Sequence, residues 1–321
     1  MINGILLGYD RIVERTPKSC HILKKILRIR ILKTKKTVML KLNLTNPQQS
    51  DIAFKTLVFP DGQPHIRLDL PPTPEGEFSS QNTEGVEITA RIANPVDLFN
   101  VLMAKDVLEA SGFERVDLHI AYLMAARMDR QMTDSEPFTL RIVAAMINQA
   151  NFRRITIFDP HSEVSTALIL RSKAIGNEVF VKNCIAHFYQ NKPKDDYALI
   201  SPDAGALKKI YKVAQFVDAP FVVECTKKRD VKTGHLSGFA TNETDFGGKT
   251  CFIVDDICDG GGTFIGLADL LKKRNAGKVV LVVSHGIFSK GFDLAGIDAI
   301  YCTDSFRNFE KLPSDVVVLE R

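Results

Sequence analysis

Three acidic residues and three glycines stand together in VDDICDGGGTF, residues 254–264. The glycines free the backbone for a sharp turn and close approach to a ligand, and a helix starting near Thr263 would offer its first-turn N–H groups to an anion. A bare phosphate cradle has no use for acids: Asp255 and Asp256 would repel the anion unless they faced hydroxyl groups or a divalent cation. A sugar phosphate meets both demands, with its phosphate in the loop of Asp259, Gly260, Gly261, Gly262 and Thr263 and its hydroxyls on the carboxylates. The bland alternative is an acidic strand-to-helix turn that binds nothing.

Other stretches carry related chemistry. SPDAGALKK, residues 201–209, places Asp203 and Gly205 before a helical pattern, either as a second anion loop or as a turn capped by Asp203. Two such loops on one sheet would suit a ligand with phosphates at two ends. In FDPHS, residues 158–162, Asp159 and His161 end a strand and form a candidate divalent-metal pair, unless the histidine is only solvated. Arg127 and Arg130 in AARMDRQMTDSEP could grip a polyphosphate or stack on a base, or belong to a salt-bridged surface loop. Lys227, Lys228 and Arg229 open the polar segment 226–246, which reads as a flap bringing positive charge to a phosphoryl group or as solvated surface.

These loops need strands and helices behind them. IAFKTLVF and HIRLDL flank PDGQ and predict a hairpin. Strands are expected at VEITARI, VDLHIAYL, RITIFD, YALISPD, PFVVEC, KTCFIVDD and KVVLVVSH. Between them lie helical patterns over 95–111, 136–150, about 204–216 and about 263–274; Pro137 would sit in the first turn of the second helix, with Ser135 and Glu136 near its cap. Segment 226–246 shows no convincing periodicity. Alternating buried strands and helices predict a doubly wound parallel α/β architecture.

With 321 residues the chain can build two cores. Its 45% apolar and 25% charged content is that of a soluble globular protein, and no apolar run reaches membrane-spanning length. Six cysteines without CxxC spacing predict reduced thiols in a cytoplasmic protein rather than disulfides or zinc sites. Residues 1–38 hold ten Lys/Arg against Asp10 and Glu14, whereas the rest holds 32 basic against 36 acidic residues. This basic extension is expected to lie apart from the chemistry, and nucleic acid is not an expected partner. The organisation expected is a basic extension 1–38, an N-terminal domain 39–190 and a C-terminal domain 191–321 with the phosphate loops.

Over residues 54–305 the chain resembles the ribose-phosphate pyrophosphokinase family, also called phosphoribosyl pyrophosphate synthetases. The motifs FPDGQPHIRL, ANPVD, YLMAARMDRQMTDSEP, FDPHS, SPDAGALKK, KKR, VDDICDGGGT and SHGIFSKG stand in the family's order. The resemblance implies two phosphoribosyltransferase-like α/β domains, each with a mostly parallel sheet flanked by helices. It implies pyrophosphate transfer from Mg·ATP to ribose 5-phosphate, giving phosphoribosyl pyrophosphate and AMP, with Mg²⁺ as cofactor. By the same resemblance Asp259–Thr263 would take the sugar's 5-phosphate, Asp255 and Asp256 its hydroxyls, and Asp203 the pyrophosphate and metal. His161 would serve metal and ATP, Arg127 would contact ATP, and Lys227 and Arg229 would stabilise the transition state. Asp61, Gly62 and Gln63 would reach the adenine from a neighbouring subunit, in a homo-oligomer built from dimers. Gln63 and Met128 depart from the family's usual Glu and Gln on the ATP side, and QMTDS replaces the basic stretch of its regulated members. Two other functions share parts of this pattern: a non-catalytic regulatory paralogue, and a type I phosphoribosyltransferase.

Overall fold

The computed structural model describes residues 39–70, 85–190, 196–229 and 236–321, with the backbone alone for 227–229, 236 and 237. The expected basic extension and most of the polar loop after residue 70 lie outside these residues, as do the side chains of Lys227 and Arg229. Leu40–Arg321 form one compact unit.

The first sheet has the order β1-β4-β5-β6-β7. Its strands are β1 (Met39–Asn43), β4 (Gly85–Ile92), β5 (Val116–Leu123), β6 (Ile155–Phe158) and β7 (Ser172–Ile175), and β4 to β7 pair in parallel. The expected hairpin is β2 (Ala53–Val58) against β3 (Pro64–Asp69), antiparallel and separate from both large sheets. Helix α1 (Pro95–Ala110) follows β4 and buries Leu98, Val101, Ala104 and Leu108, one stripe of its surface. Its start is fixed reciprocally: Asn94 accepts from the Asp97 N–H at 3.1 Å, and the Asp97 carboxylate accepts from the Ala93 N–H at 3.0 Å.

Helix α2 (Thr139–Gln149) begins three residues later than the sequence predicts. Ser135 and Glu136 do not cap it; Phe138 holds the cap position without a side-chain bond. Pro137 therefore precedes the helix instead of sitting in its first turn, and it disfavours helical angles at Glu136. The short α3 (Val164–Leu168) precedes β7, and α4 (Glu178–Phe188) follows it.

The second sheet runs β10-β9-β8-β11-β12-β13-β14. It comprises β8 (Tyr197–Ser201), β9 (Val222–Arg229), β10 (Leu236–Thr241), β11 (Thr250–Cys258), β12 (Val279–Gly286), β13 (Ala299–Thr303) and β14 (Val316–Val318), parallel except for β10. Along β11, Cys251 and Ile253 enter one core while Phe252 and Val254 enter the other, so both faces are covered and the strand reads as a continuous apolar run. Helix α6 (Gly262–Lys273) covers one face. Helices α4 and α5 (Leu207–Val217) cover the other: Phe180, Val181 and Cys184 pack with Ile210 and Val213, so α4 belongs to the second sheet's core.

Segment 226–246, which lacks periodicity in the sequence, contains an antiparallel pair: β9 runs to Arg229 and β10 returns beside it. An irregularity between Leu236 and Gly238 breaks the alternation that would have revealed the strand. The Phe239 ring of β10 rests on α6 at Gly266, where a Cβ would meet it at 2.6 Å.

Candidate functional site

Parallel strands deliver their loops to one edge of a sheet, and here those loops open on a cleft of about 850 Å³. Arg127 and Arg130 come from the loop after β5, His161 and Ser162 from that after β6, and Asp203–Ala206 from that after β8. Asp255 to Phe264 end β11 and begin α6, Thr226 of β9 stands at the rim, and Lys290 follows β12.

The glycine loop has the conformation its composition predicts. Gly261 has φ +75°, and a Cβ there would strike Leu294 Cδ2 at 2.3 Å, so both the backbone angle and the space demand glycine. α6 then starts at Gly262 with no side-chain cap, leaving its first N–H groups beside the cleft. Asp203 closes the other loop by accepting from the Ala206 N–H at 3.1 Å, so the capping arrangement allowed by the sequence is present, and the residue also lines the cleft.

A chain of polar side chains joins the two sheets behind these loops. His161 Nδ1 lies 2.7 Å from Asp256 Oδ2. Lys209 of α5 donates to Asp159 Oδ1 at 3.1 Å, to the Pro160 carbonyl at 2.8 Å and to Asp256 Oδ2 at 3.4 Å. Asp159, buried and held at φ +35°, accepts from Asn177 Nδ2 at 2.9 Å and Ser284 Oγ at 2.5 Å. His285, buried on β12, lies 3.0 Å through Nε2 from the Asp159 carbonyl and 2.7 Å through Nδ1 from Ser305 Oγ. Sequence reading missed Lys209, Asn177, Ser284 and His285. Two of them stand inside quoted motifs, Lys209 in SPDAGALKK and His285 in SHGIFSKG, but no spacing announces a bridge across 47 residues.

This network separates the two adjacent carboxyls. Burial alone would raise Asp256, yet the hydrogen bond to His161 and the charge of Lys209 outweigh it and hold the group below the usual carboxylate range. Asp255 keeps some surface open to the cleft but is otherwise enclosed by protein; that desolvation, and then the neighbouring Asp256 charge, raise it well above that range. One carboxylate therefore stays ionised beside one that favours its proton. His161 is raised, chiefly by its hydrogen bond to Asp256. Burial lowers His285 and keeps it neutral.

Arg127 Nη1 sits 3.5 Å from Asp259 Oδ2, linking the loop after β5 to the glycine loop. Met128 is exposed and does not line the cleft. Asp61, Gly62 and Gln63 occupy the β2–β3 turn, where Asp61 Oδ1 accepts from the Gln63 N–H at 3.0 Å; they are not among the cleft residues. Lys227 and Arg229 lie on β9 beyond Thr226, in register with Phe239 and Leu236 of β10. The described cysteines, 184, 225, 251, 258 and 302, are buried free thiols; burial raises Cys225 to about 11 and Cys251, Cys258 and Cys302 to about 12, which suits packing rather than nucleophilic attack. Among the described residues no helix is long and apolar enough to cross a membrane.

Residues 171–302 match the family described as phosphoribosyl transferase domain. The chain is 28% identical to a ribose-phosphate pyrophosphokinase of Mycoplasmopsis pulmonis over 246 residues, 73% of this chain and 74% of that protein. It is also 28% identical to a ribose-phosphate pyrophosphokinase of Thermococcus kodakarensis, over 73% of this chain and 77% of the other. A crystal structure of phosphoribosylpyrophosphate synthetase from Mycobacterium smegmatis shares the fold, with TM-score 0.71 and 20% identity over 88% of this chain and 94% of that one. With its loops in that order on that fold, the chain is similar in sequence to ribose-phosphate pyrophosphokinases and carries a phosphoribosyl transferase domain over 171–302.

Proposed function

We propose that this chain is a ribose-phosphate diphosphokinase, converting ATP and ribose 5-phosphate to phosphoribosyl pyrophosphate and AMP. The observation that carries the reading is that the two anion loops, after β8 and β11, open on one cleft together with Arg127 and His161. A phosphoribosyltransferase activity needs a sugar-phosphate loop but gives no such role to the cations of the β5 loop, and the relatives bear pyrophosphokinase names.

In this reading the N-terminus of α6 and Gly260–Thr263 take the 5-phosphate, and Asp256, ionised, accepts from the ribose hydroxyls. Asp255, with its proton favoured, completes the hydroxyl contacts. The ATP side would be held by Arg127, with Asp61, Gly62, Gln63 and Met128 contributing from hairpin and loop, the hairpin from a neighbouring subunit of a homo-oligomer. The C1 hydroxyl oxygen bonds to the β-phosphorus, the bond from that phosphorus to the oxygen bridging the α-phosphate breaks, AMP departs and one proton is released. Lys227 and Arg229 on the β9 arm would place positive charge on the transferring group.

The donor set fits magnesium held mainly by substrate. His161 commits Nδ1 to Asp256, Asp203 lines the same cleft, and Ser162 Oγ is buried without a partner among the described residues. Magnesium prefers oxygen ligands and keeps several waters, so few protein ligands would be needed. Bound there, the ion would neutralise triphosphate charge. The cytoplasm, where ATP is supplied, is the proposed location.

The test is AMP formation from Mg·ATP by the full chain, with and without ribose 5-phosphate, with mass detection of the product. Sugar-dependent AMP accompanied by phosphoribosyl pyrophosphate is expected. Absence of AMP overturns the reading, and consumption of phosphoribosyl pyrophosphate with a free base would replace it by a type I phosphoribosyltransferase.

A further inference from the structure

Lys290 stands in the segment that follows β12, and this segment is fastened to the glycine loop. Ile287 and Phe288 both donate their N–H groups to the Cys258 carbonyl, at 2.8 and 3.1 Å, one residue before the loop begins. Phe288 has φ +46°, is buried, and packs on Phe292 with ring centroids 4.8 Å apart; Gly291, at φ +84°, closes the turn by donating to the Phe288 carbonyl at 3.0 Å. The same segment supplies Leu294, which fills the space beside Gly261. The Lys290 stem lies over Gly260, with Cδ and Cε each 3.4 Å from where a Cβ at that residue would sit. Lys290 thus lines the cleft beside Gly260–Thr263.

Charge makes the placement informative. A sugar phosphate brings a dianion into a cleft that already holds Asp203, Asp255, Asp256 and Asp259. Of the cations there, Lys209 is engaged by Asp159 and Asp256, and Arg127 faces Asp259. Arg130 comes from the β5 loop, alongside Arg127. Lys290 has no hydrogen bond or ion pair among the described residues, and its flexible stem is steered by packing against the loop itself. An ammonium so placed is a compact point charge suited to phosphate oxygens.

We propose that Lys290 is a substrate-binding residue that recognises the terminal phosphate of the sugar phosphate and selects phosphorylated over unphosphorylated pentose. The inference rests on the ribose 5-phosphate reading of the cleft. It assigns the ammonium to the sugar's phosphate and not to the nucleotide's.

Lys290→Met keeps the stem over Gly260 and removes only the charge, and Lys290→Arg keeps the charge. Binding of ribose 5-phosphate to the full chain is measured by calorimetry with magnesium and a non-hydrolysable ATP analogue present, and KM is measured for each substrate. Lys290→Met is expected to weaken ribose 5-phosphate binding and raise its KM about tenfold, leaving the KM for ATP unchanged, while Lys290→Arg stays within about threefold of wild type. The deficit of Lys290→Met should shrink at high salt. Equal ribose 5-phosphate binding by wild type and Lys290→Met, no binding by either, a shift confined to ATP, or an equal loss in Lys290→Arg would each overturn the assignment. A wild type that binds the sugar phosphate but makes no AMP would overturn the diphosphokinase reading while leaving the binding comparison to decide on Lys290.

Discussion

At the scale of single residues the cleft divides its charges by environment. Asp255 and Asp256 are neighbours in sequence with the same side chain, yet of the two only Asp256 meets His161 and Lys209, which hold it below the usual carboxylate range, while burial and the Asp256 charge raise Asp255. Lys227 belongs to another class of residue, a cation carried on β9 beyond Thr226 at the cleft rim. If its charge is needed mainly while the phosphoryl group is in transit, removing it should lower kcat far more than it raises either KM. Lys227→Ala is therefore expected to lose about 10²–10³ in kcat with an unchanged circular dichroism spectrum, and steady-state kinetics with each substrate varied would show it. Unaltered kcat would remove Lys227 from the chemistry.

At the scale of elements, the phosphate loop is a property of β11 and α6 joined through one left-handed residue. Gly261 is the joint: φ +75° suits glycine, and Leu294 occupies the space a side chain would take. Gly261→Ala is expected to cost about 1–2 kcal/mol of stability from the backbone angle alone, with the Leu294 collision adding to it. Displaced N–H groups at the start of α6 should weaken ribose 5-phosphate binding more than ATP binding. Urea unfolding and a KM comparison measure the two effects, and a variant with wild-type values in both would show that the loop tolerates another backbone. The β9–β10 pair is the second element that matters. Phe239 seats it on α6 at Gly266, so the arm bearing Lys227 and Arg229 is anchored to the helix whose N-terminus opens on the cleft.

At the scale of the whole molecule, the two sheets keep separate apolar cores and meet through polar contacts and aromatic rings, Tyr122 of β5 standing 5.2 Å from the His285 ring and 4.9 Å from the Phe306 ring. Arg91 of β4 bonds Asp304 at 2.9 Å and Asn308 at 2.7 Å, and Arg321 reaches the same Asp304 at 3.2 Å. Ser284 and His285 of β12 hold Asp159 of the first half from the other side. His119 of β5 lies within the field of Arg321; burial, and then that charge, push it down to about 4 from 6.5. Between those two values the unfolded chain takes up a proton that the folded chain refuses. The stabilisation is therefore complete above pH 6.5 and is lost as pH falls toward 4. At pH 5 the loss amounts to about 2 kcal/mol. His119→Asn, which keeps a polar group near Thr156, should reduce the drop in urea stability between pH 7 and pH 5 by about that amount. An identical drop in both proteins would show that His119 titrates normally in the fold.

The sequence by itself determined the parallel α/β architecture and the places of the glycine- and aspartate-bearing loops, because buried strands read as short apolar runs and Gly and Asp break them. Residues 254–264 carry enough local information to state strand, turn and helix start within a residue or two. Short or irregular strands escaped: SKAI is a largely exposed edge, and β10 passes through a bulge near Gly238, so neither alternates cleanly. Tertiary structure alone decided which charges meet. Asp159, Lys209, Asp256 and Ser284 lie far apart along the chain, and only the docking of two sheets brings them within hydrogen-bond distance. The same docking shifts two adjacent aspartates in opposite directions, because desolvation and charge pairing depend on neighbours in space that no local pattern encodes.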